Sequence, residues 1–176
     1  MESFSCEKDK EIELFLKERA VEFEKLAKSR TYLICDQEQL ENVGNQNESI
    51  IIYGYISLAL KVLTIPENIS NRVRKELDGF SAKIHGEQIC DFPCYLIGQL
   101  SKNSNVSEKS LSGAELIEFA CDVIAASVEA VGGRFMMIEC RDEEKLIYFY
   151  KNNMFKEIAR IPDEEQSMVQ MIRKIQ

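Results

Sequence analysis

Two stretches of the 176-residue chain carry groups able to do chemistry. The first is SKNSNVSEKSLSGAEL, residues 101–116, where hydroxyls, amides and lysines lead into a run of helical periodicity. Ser112 and Glu115 have the spacing of a capping box, in which each side chain bonds the other residue's backbone N–H. A helix that starts here presents unpaired N–H groups and the positive end of its dipole, so a phosphate could sit just before Gly113. Ser110 and Ser112 would add hydroxyl donors, and Lys102 or Lys109 would add charge. An ordinary capped helix after a polar turn explains the same spacing, and both readings stand. The second stretch is EEKLIYFYKNNMF, residues 143–155, which puts the phenol of Tyr150 late in a helix, between Phe149 and Phe155. Taken alone, Tyr150 reads first as a half-buried packing residue.

Other chemistries are poorly supplied. A single histidine, His85, leaves no His/Cys cluster with zinc spacing and no base for a Ser-His triad. Cys90 and Cys94 are four apart and make a weak metal motif; the six cysteines lie mostly in apolar runs, where a free thiol behaves as a small hydrophobe, which fits a reducing, cytoplasmic setting. With 30 acidic against 22 basic residues, the net charge of −8 repels phosphate backbones and anionic lipids unless the cations gather on one face. Nucleic acid is therefore a handicapped partner. Arg72, Arg74 and Lys75 form the tightest basic cluster, and its simpler reading is a solvated helix face. The apolar stretch Ile50 to Leu60 is broken by Gly54 and Ser57 and is shorter than the ~20 residues of a membrane span. The opening MESFSCEKDKEIE lacks the apolar core of a secretory signal. The length predicts one domain, with residues 1–9 as a flexible leader.

The elements that must position these groups follow from periodicity. Lys10 to Lys28 predicts an amphipathic helix with a charged outer face. Thr31 to Cys35 and the β-branched and aromatic run from Ile50 to Leu63 predict two antiparallel strands joined by a polar loop. Ser70 caps a short helix that stops near Gly79, and a loop with His85 and Gly86 leads to a strand over Phe92 to Leu100. After a polar loop with no core of its own comes the best-defined helix, with Leu116, Phe119, Ala120, Val123, Ser127 and Val131 on one face and Gly132-Gly133 as its stop. Arg134 to Cys140 is apolar on both faces, the pattern of a central strand. A helix over Glu143 to Asn152 and strands over Phe155 to Ile161 and Met168 to Ile175 complete an α/β (α+β) domain with a mixed sheet.

From about Glu18 to Ile161 the motifs occur in a recognisable order. Ser29-Arg30-Thr31-Tyr32 stands at the first strand, and Tyr53-Gly54-Tyr55-Ile56-Ser57-Leu58-Ala59 in the second. Arg72-Val73-Arg74 precedes Phe92-Pro93-Cys94-Tyr95-Leu96-Ile97-Gly98-Gln99-Leu100-Ser101, and Leu146 to Phe155 carries the Phe149-Tyr150 pair. In these pieces the chain resembles the GNAT superfamily of N-acetyltransferases, in the branch that includes toxin-type acetyltransferases. The resemblance implies a splayed, mixed central sheet flanked by helices, acetyl-CoA as cofactor, and direct attack of an amine on the thioester with both bound. The family's glycine-rich acyl-CoA loop aligns with Asn105-Val106-Ser107-Glu108-Lys109-Ser110, with Gly113 close behind.

By the same resemblance the cofactor would touch Leu100, Ser101, Lys102, Lys109, Ser110, Leu111, Ser112, Gly113 and Ala114. The Leu100 N–H would stabilise developing oxyanion charge, and Tyr150 would protonate the departing thiolate. The base that takes the acceptor's proton stays open among Glu139, Glu87 and a chain of waters. The implied acceptor is a primary amine of a small molecule or protein; the alternatives are the aminoacyl group of charged tRNA and a degenerate CoA-binding or interaction domain. Asp36 to Ser49 and Pro66 to Ile89 would build the acceptor pocket, and a homodimer is implied by the resemblance alone.

Overall fold

The computed structural model describes residues 3–42, 50–107, 110–162 and 167–175. In chain order these form α1 (Lys10–Leu14), a π turn (Phe15–Arg19), α2 (Ala20–Lys25), β1 (Arg30–Ile34), α3 (Gln37–Asn42), β2 (Gly54–Thr64), α4 (Asn71–Asp78), β3 (Lys83–Ile84) and β4 (Glu87–Gln88). Then come β5 (Asp91–Lys102), α5 (Gly113–Val131), β6 (Phe135–Arg141), α6 (Glu144–Asn152), β7 (Lys156–Ile161) and β8 (Met168–Lys174). Six strands make one mixed sheet in the order β1-β2-β5-β6-β8-β7, and β3 with β4 makes a separate hairpin. The expected α/β architecture with a mixed sheet is the one observed. Among the described residues no helix is long and apolar enough to cross a membrane.

The backbone divides into two compact units, Met1–Ala59 with Ile97–Asp122, and Leu60–Leu96 with Val123–Gln176. In the first, β1 pairs antiparallel with β2, Tyr32 opposite Ile56. The helix expected over Lys10 to Lys28 is interrupted: Ala20 N–H donates to Phe15 C=O, five residues back. The extra residue turns Phe15, Leu16 and Ala20 inward together, where they pack with Ile52 and Tyr55. Helix geometry ends at Lys25, and Ala27 sits at φ 54. The Tyr55 hydroxyl donates to Ile12 C=O at 2.6 Å and ties α1 to β2.

Residues 3–9 do not behave as a free leader. Phe4 is fully buried, edge-on to Tyr55 at 5.3 Å. Burial of a phenylalanine contributes about 2 to 3 kcal/mol. Ser104 N–H donates to Ser5 C=O and Glu7 N–H to Ser104 Oγ, so the segment is laced to the chain just after β5.

In the second unit, the predicted N-cap of α4 is present: Ser70 Oγ accepts from Val73 N–H. The helix ends at Gly79, in the left-handed region at φ 91, where any Cβ would collide with the Arg134 guanidinium. The region expected as a loop around His85 and Gly86 is a two-residue hairpin turn, both residues at positive φ (52 and 88). Strand β6 is buried on both faces, as its sequence predicts; it runs parallel to β5 (Tyr95 opposite Met136) and antiparallel to β8 (Met137 opposite Ile172). A core of Leu63, Leu77, Phe92, Phe135, Met137 and Ile172 lies along one side.

Candidate functional site

The candidate residues fall in both units. In the first, β5 delivers Leu100, Ser101 and Lys102 to the polar loop. Leu100 and Lys102 are half-buried. Ser101 is buried, its hydroxyl donating to Cys6 Sγ at 3.3 Å, so it offers a ligand backbone only. The loop is not devoid of core: Asn103 is 4% exposed and Leu111 5%. Asn103 Oδ1 accepts from Ser5 N–H and Asn105 N–H, and its amide donates to Ile52 C=O at 2.8 Å. Gly54 explains the close seat of Leu111, because a Cβ there would lie 2.7 Å from Leu111 and 2.8 Å from the Ser101 carbonyl.

The capping box forms as the spacing predicts. Ser112 N–H donates to Glu115 Oε2 at 2.7 Å, and Glu115 N–H to Ser112 Oγ at 3.1 Å. Ser112, first through its side chain and then through its N–H, holds the Glu115 carboxyl below its ordinary value. The two capping-box bonds also use donors an anion would need. Ser110 N–H is likewise engaged, with Ser107 C=O at 3.0 Å. Gly113 and Ala114, the first residues of α5, keep N–H groups that a helix leaves without internal partners. Beside them a hollow of about 270 Å³ is lined by Asp36, Tyr53, Ser110, Leu111, Glu115 and Phe119, among others. Tyr53 donates to Asp36 at 2.6 Å, which raises the Tyr53 pKa. The backbone therefore suits a phosphate, while Glu115 opposes one. Lys109, expected to add charge, lies outside the described residues. The buried side of α5 is Leu116, Ile117, Ala120 and Ile124, so the expected face is rotated and Phe119 and Val131 are exposed.

In the second unit, Tyr150 lies in the last turn of α6, half-buried. Its ring is edge-on to Phe149 at 5.0 Å and to Phe155 at 5.7 Å. Burial, with a smaller effect from Cys140, pushes the phenol up to about 12, so it stays protonated through the neutral range. The turn after α6 has Met154 at φ 66, in the left-handed region that favours glycine. Of the two acidic candidates, Glu87 is exposed on the hairpin. Glu139 on β6 is partly covered, its Oε2 2.6 Å from Lys61 Nζ and its Oε1 2.9 Å from Gln170 Nε2. A hollow of about 380 Å³ opens over it.

The basic cluster comes apart. Arg74 is fully buried and spends its guanidinium on the carbonyls of Ile69, Ile89, Pro66 and Glu67 and on Cys90 Sγ. It is neither a solvated cation nor a phosphate contact.

No family model matches the sequence, and no curated protein matches it. Solved structures do match. A mutant of the toxin AtaT, bound to the C-terminus of the antitoxin AtaR and acetyl-CoA, is similar with a TM-score of 0.62 at 19% identity, over 98% of this chain and 83% of that one. AtaT complexed with acetyl-methionyl-tRNAfMet gives 0.67 at 20% identity, over 96% and 85%. A tyrosine-to-phenylalanine mutant of KacT gives 0.66 at 18% identity, over 95% and 84%. The chain has the fold of these proteins, as its motif order implies.

Proposed function

We propose that this chain is an acetyl-CoA-dependent N-acetyltransferase acting on a primary amine of a small molecule or protein. The observation that supports the reading best is the phenol of Tyr150, kept protonated within a fold that in AtaT has been seen with acetyl-CoA. When bound, acetyl-CoA supplies an acetyl group activated as a thioester. Gly113 and Ala114 N–H with the Ser110 and Ser112 hydroxyls would hold its phosphates, Lys109 and the seated Leu111 flanking them. The backbone of Leu100, Ser101 and Lys102 would pair with its amide arm. Leu100 N–H would donate to the carbonyl oxygen as charge develops.

Tyr150 would donate a hydrogen bond to the leaving sulfur. Full transfer from a phenol near 12 to an ordinary thiolate of pKa ~8.5 is roughly 5 kcal/mol uphill. The proton that ends on sulfur must then come from the amine, and the phenol stabilises the sulfur's charge meanwhile. Tyr150→Phe should lower turnover about a hundredfold while the calorimetric affinity for acetyl-CoA stays unchanged. Unaltered turnover, or no binding of acetyl-CoA at millimolar concentration, would overturn the proposal.

A second reading, an aminoacyl-tRNA acceptor, is favoured by one observation: AtaT has been solved with acetyl-methionyl-tRNAfMet. Against it stand the net charge of −8 and the burial of Arg74, because phosphate contacts supply most tRNA affinity. Side-by-side assays with free amines and with aminoacyl-tRNA separate the two.

A further inference from the structure

On one face of the second unit a polar row begins where the apolar core stops. Along β2 the core residue Leu63 gives way, two positions back, to Lys61; along β6 Met137 gives way to Glu139; along β8 Ile172 gives way to Gln170. Glu139 and Gln170 are direct cross-strand partners. Gln170 is 6% exposed and donates to Glu139 Oε1, while Lys61 meets Oε2 at 2.6 Å. The fourth member of the row is set by a register shift in β7 between Glu157 and Ala159. Unshifted pairing would put Ile158 opposite Gln170; instead Ile158 packs on the core and the small Ala159 takes that place. The missing bulk leaves the 380 Å³ hollow, walled also by Val62, Ile161 and Pro162.

We infer that this hollow is an amine-binding subsite, and that it takes a primary ammonium carrying a short apolar side chain, with Glu139 as its anchor and Lys61 as a stand-in that the ligand's ammonium displaces. The inference rests on the proposed amine acetylation and names its substrate class. A partly covered carboxylate still favours a cationic partner, and Gln170, bonded to one oxygen, fixes which oxygen meets it. Lys61 supplies that partner in the absence of ligand. Its side chain is 38% exposed on a flexible stem and can swing into water. The apolar walls then favour a hydrocarbon side chain over a second charge. Arg160, also at the rim, is held by Glu157 and Asp142 and does not compete for Glu139.

The test is binding of leucinamide to the full chain without cofactor, followed by calorimetry, with uncharged N-acetyl-leucinamide as control. Saturable binding of leucinamide and none of the control is expected. Glu139→Gln should weaken it roughly tenfold or more, as loss of a charge-assisted bond does. Ala159→Ile, which fills the hollow and leaves the charges, should abolish it, and Lys61→Met should leave it as tight or tighter. Binding unchanged in Glu139→Gln, lost in Lys61→Met, or absent from the parent would overturn the inference. Acetyl-CoA titrated into the same preparations reports separately on the cofactor: leucinamide binding without acetyl-CoA binding sinks the acetyltransferase reading and keeps the amine site, and the converse sinks the site alone.

Discussion

Arg74 and Glu139 are both charges drawn into the second unit, and their partners differ in kind. Arg74 has every donor fixed on backbone carbonyls and one thiol of its own neighbourhood. Glu139 is held by the ends of two side chains, one of them a partly exposed lysine, beside open volume. A charge spent on backbone belongs to folding. A charge spent on a side chain that can leave remains available for a ligand, at the expense of less stability from the same carboxylate.

The contrast predicts unequal costs. Arg74→Met should have the largest effect, because it takes a fully buried guanidinium from the carbonyls of Glu67, Ile69 and Ile89 and leaves Pro66 C=O with Ile69 N–H alone. A loss of about 3 to 5 kcal/mol is expected, a large part of a typical domain's stability, read as a drop of roughly 10 °C or more in thermal midpoint. A midpoint that hardly moves would break the comparison. Asn103→Ala tests the same logic without charge, in the first unit. It removes the acceptor of Ser5 and Asn105 N–H and the donor to Ile52, for about 2 kcal/mol by urea denaturation.

These hubs mark the boundary of what the chain discloses before it folds. The capping box at Ser112, the Ser70 cap, the left-handed stop at Gly79 and the doubly buried β6 depend on neighbours within a few residues, and each was readable as a local pattern. Asn103 meets Ser5 across 98 positions and Lys61 meets Glu139 across 78, and no local pattern encodes either. The leader at Ser3 to Asp9 reads as polar and free because only Phe4 and Cys6 carry its burial among polar and charged neighbours. His85 hid a hairpin because histidine is a weak signal for positive φ next to Asn or Asp. For the site, Tyr150 and the start of α5 were legible as groups; the spending of the α5 donors on Glu115 was legible as a cap and not as competition with phosphate.

That competition gives the next smaller prediction. Ser112→Ala removes the acceptor of Glu115 N–H and should cost about 1 kcal/mol, the usual worth of an N-cap. It also removes the larger of the two Ser112 contributions that lower the Glu115 pKa, that of the side chain, and leaves the bond from the Ser112 N–H. In the parent, the stabilisation tied to that lowered pKa is complete above the ordinary value of 4.5 and is lost as pH falls through the lower folded value. Acid titrations of stability should therefore fall more steeply below pH 4.5 in the parent than in the variant. If Glu115 also repels the cofactor's phosphates, Glu115→Gln should tighten acetyl-CoA severalfold in calorimetry.

Lys61→Met should cost least, within about 1 kcal/mol, and it bears most directly on the comparison. The Lys61 side chain is 38% exposed and that of Glu139 24%, so solvent screens the pair and takes over much of its solvation when the lysine goes. Gln170 still holds one carboxylate oxygen, and the open hollow admits water to the other. A cost near that of Arg74→Met would mean that Lys61 is an integral strut and Glu139 a structural charge like Arg74. A small cost, with the thermal midpoint recovered by millimolar leucinamide in Lys61→Met and not in Glu139→Gln, ties the spare charge to its use: the protein would be stabilised by the ammonium that replaces its own.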